Sequence, residues 1–285
     1  MTGRSRRGVI IAVVVVVVLA VGGYFAGRAL WHSAKSALAY DHCTVGDYEL
    51  DPDQASVAAT MVGAVTSYRP VLPERAAVLV LAAGLQESKL RNLAPGEGDR
   101  DSVGVLQQRP SQDWGKVDGK PNSTTDREKR LNDVFFATTT FLDHLIKVDG
   151  WQQMTLADAV QAVQISADGG AYAQHEGEAT ALANALQGKV AAGITCEFEK
   201  PTKVATTGQV VKLVTRDLPV NAPAAAGLQV RVPGAGWQTA AWFVANADRL
   251  GIDQVAYKQR QWSRTNGWHA ASASADAVVA TMYRL

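Results

Sequence analysis

Cysteine is almost missing: the 285 residues hold two, Cys43 and Cys196. Paired short Cys spacings, which a structural zinc site needs, are therefore absent. A surplus of charge is missing too, since 28 Lys and Arg stand against 27 Asp and Glu. A net charge of +1 gives no field to hold duplex DNA, and no nucleic-acid partner is expected. No phosphate-binding glycine loop is present, and nothing calls for a cofactor or a resident metal. No internal repeat is visible.

One absence is local. From Val9 to Ala26, "VIIAVVVVVVLAVGGYFA" contains no charged residue, behind a basic start with Arg4, Arg6 and Arg7. The run is long enough for a bilayer helix, so residues 9–27 are expected to be a single transmembrane span. The basic flank places residues 1–8 in the cytoplasm and sends the rest of the chain outside, anchored to the cell membrane. The alternative is a secreted protein, cleaved after Ala37-Leu38-Ala39. Residues 28–42 then form a stalk. In either case the two cysteines meet oxidising conditions, and a Cys43–Cys196 disulfide is expected. Closing so long a loop would stabilise the fold by about 4–5 kcal/mol. A zinc site using His42 beside Cys43 is the weaker alternative.

What the chain does contain is mostly helical pattern. "DPDQASVAATMVGAVTSY" has acids in its first turn and apolar residues three and four apart. Pro73 and Glu74 open a second helix, and Thr125, Asp126 and Glu128 precede "LNDVFFATTTFLDHLIKV". Thr155 and Asp158 form a capping pair before another helix, and "GEATALANALQGKVAAG" supplies a last one before Cys196. Residues 93–125, rich in Gly, Pro, Ser and Asp, are expected to form a hairpin-like insertion at a cleft. After Cys196, residues 199–224 suggest a linker and 225–285 a small α/β domain. That domain carries Trp262 and Trp268, a pair suited to its own core or to a glycan or peptide stem. The expected fold class is mostly α: a transmembrane helix, a helical domain over 43–198 with a small insertion, and the α/β piece.

The second helix ends oddly. "AAVLVLAAGL" (76–85) has no hydrogen-bonding side chain, yet Gln86, Glu87 and Ser88 follow at once. Desolvation raises a carboxyl pKa, and the negative end of a helix dipole raises it further. Glu87 is thus placed to stay protonated and serve as a general acid. The competing expectation is a structural Glu87 salt-bridged to Lys89 or Arg91. Glu97, Asp99 and Asp101, in "GEGDRDS", are candidates for a second acid or a calcium loop; ordinary turn residues are the plainer reading.

Glu87-Ser88 followed by "SVGVLQQRP" (102–110) resembles the signature of lysozyme-like lytic transglycosylases and goose-type lysozymes, in an actinobacterial branch. Ser102, Gly104, Leu106, Gln107 and Pro110 match that signature, and Val105 stands where Leu is usual. "AVQISADGGAYAQHE" (162–176) matches a third segment in part through Gln164, Ser166 and Tyr172, but lacks its Asn-Ala-Gly core. The resemblance covers residues 44–196. It implies cleavage of the β-1,4 bond between N-acetylmuramic acid and N-acetylglucosamine in peptidoglycan, with Glu87 as the single acid/base. Ser88, Gln107, Gln108, Trp114 and Tyr172 are the implied substrate contacts. Tyr172 alternatively braces Glu87, and Trp114 is equally suited to be a packing anchor; His175 and Glu176 receive no role. Implied partners are glycan strands, the cytoplasmic membrane and other cell-wall proteins. The alternative function is an inactive wall-binding or scaffold module of the same fold.

Overall fold

A helix without a polar face has to lie in the middle of a domain, and two such helices build this one. The computed structural model describes residues 41–166, 169–272 and 276–285. The described chain enters through β1 (His42–Val45) and β2 (Tyr48–Leu50). Helix α1 (Pro52–Ser67) begins with Pro52 in its first turn, and Gln54 Oε1 accepts from the Asp51 N–H at 2.7 Å. Every residue from Ala55 to Val65 on it is buried. Helix α2 (Arg75–Ser88) is buried almost as completely, from Ala76 to Leu85. A loop with a 3-10 turn at Pro110–Gln112 leads to α3 (Thr124–Leu131) and α4 (Val134–Leu145). Asp133 breaks what looked like one helix, because its carboxylate caps the N–H groups of Phe135 and Phe136. Helix α5 (Leu156–Gln164) starts at the Thr155 cap, and a 3-10 segment, Gly169–His175, runs into α6 (Glu176–Leu186), which lies along α2.

Strand β3 (Thr195–Glu197) then returns to β1, giving an antiparallel sheet in the order β2-β1-β3. Cys43 stands directly opposite Cys196 in that ladder, and the two form a disulfide. The expected pairing is therefore present, and it excludes Cys43 as a zinc ligand. Helix periodicity gave no hint of the three short strands.

The C-terminal part departs further from expectation. Residues 199–224 are not a plain linker: Thr206 and Gln209 form a capping box for α7 (Thr207–Asp217). Strands β4 (Ala224–Ala226) and β5 (Gln229–Pro233) follow, then α8 (Trp237–Ala245) and the single turn α9 (Ala247–Leu250). Strands β6 (Ile252–Tyr257), β7 (Arg260–Ser263), β8 (Gly267–Ala270) and β9 (Ala277–Met282) complete a six-stranded antiparallel sheet, β4-β5-β9-β6-β7-β8. The expected mostly-α class is thereby corrected. Of the described residues 43% are helical and 17% lie in strands, in two antiparallel sheets.

Residues 41–285 form one unit. Trp262 is fully buried and donates its indole N–H to Cys196 O (2.9 Å), while Trp268 donates to Ile194 O (2.8 Å). Both tryptophans therefore belong to the seam with the small sheet. Behind them, the buried Asp217 carboxylate accepts from Trp242 Nε1 (3.0 Å) and Arg216 Nε (2.6 Å), tying α7 to α8.

The expected single-pass anchor and its cell-membrane location are also corrected. No helix among the described residues is long and apolar enough to cross a membrane. The segments assigned to the tail, the span and nearly all of the stalk (1–40) lie outside the described residues.

Candidate active site

Glu87 occupies the last turn of α2 because the helix is stopped immediately beyond it. Lys89 and Leu90 both adopt left-handed backbone (φ 55° and 56°), so the Leu90 N–H reaches back to Gly84 O at 2.9 Å. Gly84 leaves room there: a side chain at that position would meet Leu90 Cδ2 at 2.9 Å, and the Leu90 side chain would have to shift. The fully buried Leu90 thus seals the end of the apolar helix, and the Glu87 side chain projects from the rim of the core.

The carboxylate is half-buried and accepts a 2.5 Å hydrogen bond from the Tyr172 hydroxyl. It forms no ion pair among the described residues. Arg91 is bound to Asp51 instead, at 2.8 Å, and exposed Lys89 offers only its backbone carbonyl, to Gln54 (2.7 Å). Burial pushes the Glu87 pKa up, while hydrogen bonding by Tyr172 and Gln164 pulls it partly back. Tyr172 itself is fully buried, and burial together with the carboxylate pushes its own pKa up. It stays a neutral donor.

Facing this turn is a tight hairpin, Val103 to Gln108, closed by two backbone hydrogen bonds. Gly104 is required at its first bend: φ is +76°, and a Cβ would lie 2.4 Å from Leu131 O. Ser88 Oγ donates to Val105 O (2.8 Å), and Gln164 Nε2 donates to Leu106 O (2.8 Å). Helices α2 and α5 therefore grip the hairpin from two sides. Asp101 fixes its approach by accepting from Arg109 Nε (2.8 Å) and Ser111 N (2.7 Å), which hold its carboxyl down at about 2. Asp101 is a turn-forming anion. Glu97 accepts from Ala94 N (2.7 Å), and exposed Asp99 pairs loosely with Arg100 (3.7 Å). The Asp101 and Glu97 carboxylates are thus engaged within their own loop, and Asp99 stands at the exposed surface.

The residues implied by resemblance separate by position. Glu87 and Tyr172 touch. Ser88 is spent on the hairpin backbone. Gln107 is half-buried on the hairpin, with left-handed φ (46°), and its amide donates to Gly104 O (2.8 Å). Gln108 points into the core instead, 2% exposed and bonded to Ala137 O (3.1 Å). Trp114 is buried and stacks on His144, with ring centroids 4.3 Å apart. Gln108 and Trp114 are packing residues. Among the described residues no three His, Cys, Asp or Glu side chains gather as a metal site.

Two features escaped the sequence reading. His175 Nε2 lies 2.9 Å from Gln86 Oε1, which also accepts from Gln174 Nε2 (3.1 Å). Tyr172 and His175 are three residues apart on the 3-10 segment and share a face, so they engage Glu87 and Gln86 side by side. That spacing was the available signal. The other is Ile165, which is 81% exposed with φ +53° at the end of α5, next to Gln164. A β-branched residue in left-handed backbone costs roughly 1–2 kcal/mol. Ile165→Gly is expected to stabilise the protein by about 0.5–1 kcal/mol in urea unfolding, after allowing for the extra freedom of the unfolded chain. An unchanged midpoint would show that the local backbone bears no strain.

Residues 227–280, from the turn before β5 into β9, match the family described as VldE, C-terminal domain. Among curated proteins none matches the chain.

Proposed function

We propose that the protein cleaves peptidoglycan glycan strands as a lytic transglycosylase, with Glu87 as its only acid/base. The observation that carries this reading is the state of Glu87: half-buried, without a cationic partner among the described residues, and held by Tyr172 at 2.5 Å. Protonated Glu87 donates to the glycosidic oxygen as the C1–O bond breaks, and the leaving sugar departs as an alcohol. The carboxylate then takes the proton of the 6-hydroxyl, whose oxygen attacks C1 and closes a 1,6-anhydro ring. Glu87 ends protonated, and no water is consumed. One carboxyl suffices, in keeping with a loop in which Asp101 and Glu97 bond within their own turn. Tyr172 positions the carboxyl, Ser88 and Gln164 position the hairpin, and Gln107 is the amide suited to meet an acetamido group.

An inactive wall-binding module is the second reading. It is favoured by the missing Asn-Ala-Gly core, part of whose place, residues 167–168, lies outside the described residues. Incubating the protein with purified sacculi separates the two: an enzyme releases soluble muropeptides, a binder sediments with the wall and releases nothing. Tyr172→Phe sharpens the test. The Tyr172 hydrogen bond favours ionised Glu87, so its loss raises the Glu87 pKa further. The alkaline limb of the pH–rate profile, where the general acid loses its proton, is expected to move to higher pH. A limb that stays in place would remove Glu87 from the role.

A further inference from the structure

The geometry points to a second glycan-binding site, on the open face of the six-stranded sheet, which takes a neutral N-acetylated sugar unit. A cavity of about 370 Å³ lies there, between β6, β7 and the segment after β3. Its size suits one or two sugar rings. The choice of sugar rests on the activity proposed above; the cavity itself does not.

Three observations mark this cavity as more than a solvated sheet face. The first is a register shift between β6 and β9 at Ile252/Gln254. Strict alternation would send Asp253 and Gln254 to opposite faces, yet both line the cavity. The second is Ser263, whose hydroxyl is buried in the cavity wall without a hydrogen-bond partner. Buried hydroxyls are normally satisfied, and this one has no partner among the described residues. The third is the row that leads in. Gln229 pairs with Thr281, Thr281 with Gln254, and Gln254 with Ser263, giving neutral hydrogen-bonding side chains across four neighbouring strands.

The free groups decide the ligand. Arg264 lines the cavity, but its guanidinium is consumed by Glu199 O, Ala247 O, Ile252 O and Asp248. It is not available to an anion. Among the described residues Asp253, Gln254 and Asn266 make no side-chain hydrogen bond or ion pair, while Lys200 lies 5.9 Å over the Tyr283 ring. These include a carboxylate and two amides, groups that match the hydroxyl and acetamide groups of a sugar. A phosphate would meet the Asp253 charge without an arginine to offset it.

Proton NMR of the full-length Glu87→Gln protein, titrated with the β-1,4 tetramer of N-acetylglucosamine, tests this directly. His269 lines the cavity, and His175 sits at the Glu87 site, so their imidazole C2 protons report the two places separately. The His269 resonance is expected to shift and saturate. Asp253→Ala should weaken that response at least tenfold and leave that of His175 unchanged; Ser263→Ala, a smaller change, should weaken it in the same direction. A still His269, or a response in Asp253→Ala equal to that of the parent, overturns the site. Movement of His269 with a still His175 would instead sustain the sheet site and count against the activity proposed at Glu87.

Discussion

Glu87→Gln is expected to abolish release of glycan from sacculi, lowering the rate by about 10²–10⁴-fold, the range ascribed to a positioned general acid. Glutamine keeps the shape and still accepts from Tyr172, but it has no proton to give to the glycosidic oxygen. The same variant should be more stable than the parent at neutral pH. A carboxyl whose folded pKa lies above its unfolded value binds its proton more tightly when folded. Stability is therefore lost as pH rises from the ordinary Glu range through the raised folded pKa. Glutamine removes that loss. The stability difference between the two proteins should vanish at pH about 3, where Glu87 is protonated in both states. Loss of activity with gain of stability is the pattern of a functional carboxyl. A salt-bridged structural glutamate would give the reverse, since its removal leaves a partner unpaired.

Replacing Cys43 and Cys196 together by serine is expected to cost about 5 kcal/mol by the loop-entropy estimate for a sequence separation of 153 residues. Because the bridge joins β1 to β3, and Trp262 donates to Cys196 O, the loss should loosen the seam between the small sheet and the C-terminal sheet. Denaturant unfolding followed by tryptophan fluorescence would record it as a lower midpoint. An unchanged midpoint would mean that the strand ladder alone holds the seam.

What could be seen in the sequence follows from which physics is local. The apolar runs of α1 and α2 have no polar face, so their central burial was legible, and so was the anomaly of Glu87 at the end of one. Two cysteines allow a single intramolecular pairing. The strands were hidden for definite reasons. β1, β2 and β3 are three or four residues long, too short for alternation to register. The β6–β7 hairpin turns at Lys258 and Gln259, both with positive φ, where Asn-Gly would have announced it. Helix α7 sits between Pro201 and Pro219, and the Pro-bearing pieces around it hid its capping box behind the look of a linker. At the site, Gln107 and Gln108 look alike in sequence. Pairing of Gln108 with Val103 across the hairpin sends Gln108 inward and leaves Gln107 at the surface, a distinction only register supplies. Tyr172 reaches Glu87 across 85 residues of chain, a contact no local pattern encodes.

The central claim, that one carboxyl both gives and takes the proton, is tested most directly by the mass of the sugar released from sacculi. The mechanism predicts muropeptides ending in a 1,6-anhydro ring, one water lighter than the hydrolysis product, and their disappearance with Glu87→Gln. Hydrolysed reducing ends, or the same anhydro product released by Glu87→Gln, would contradict it.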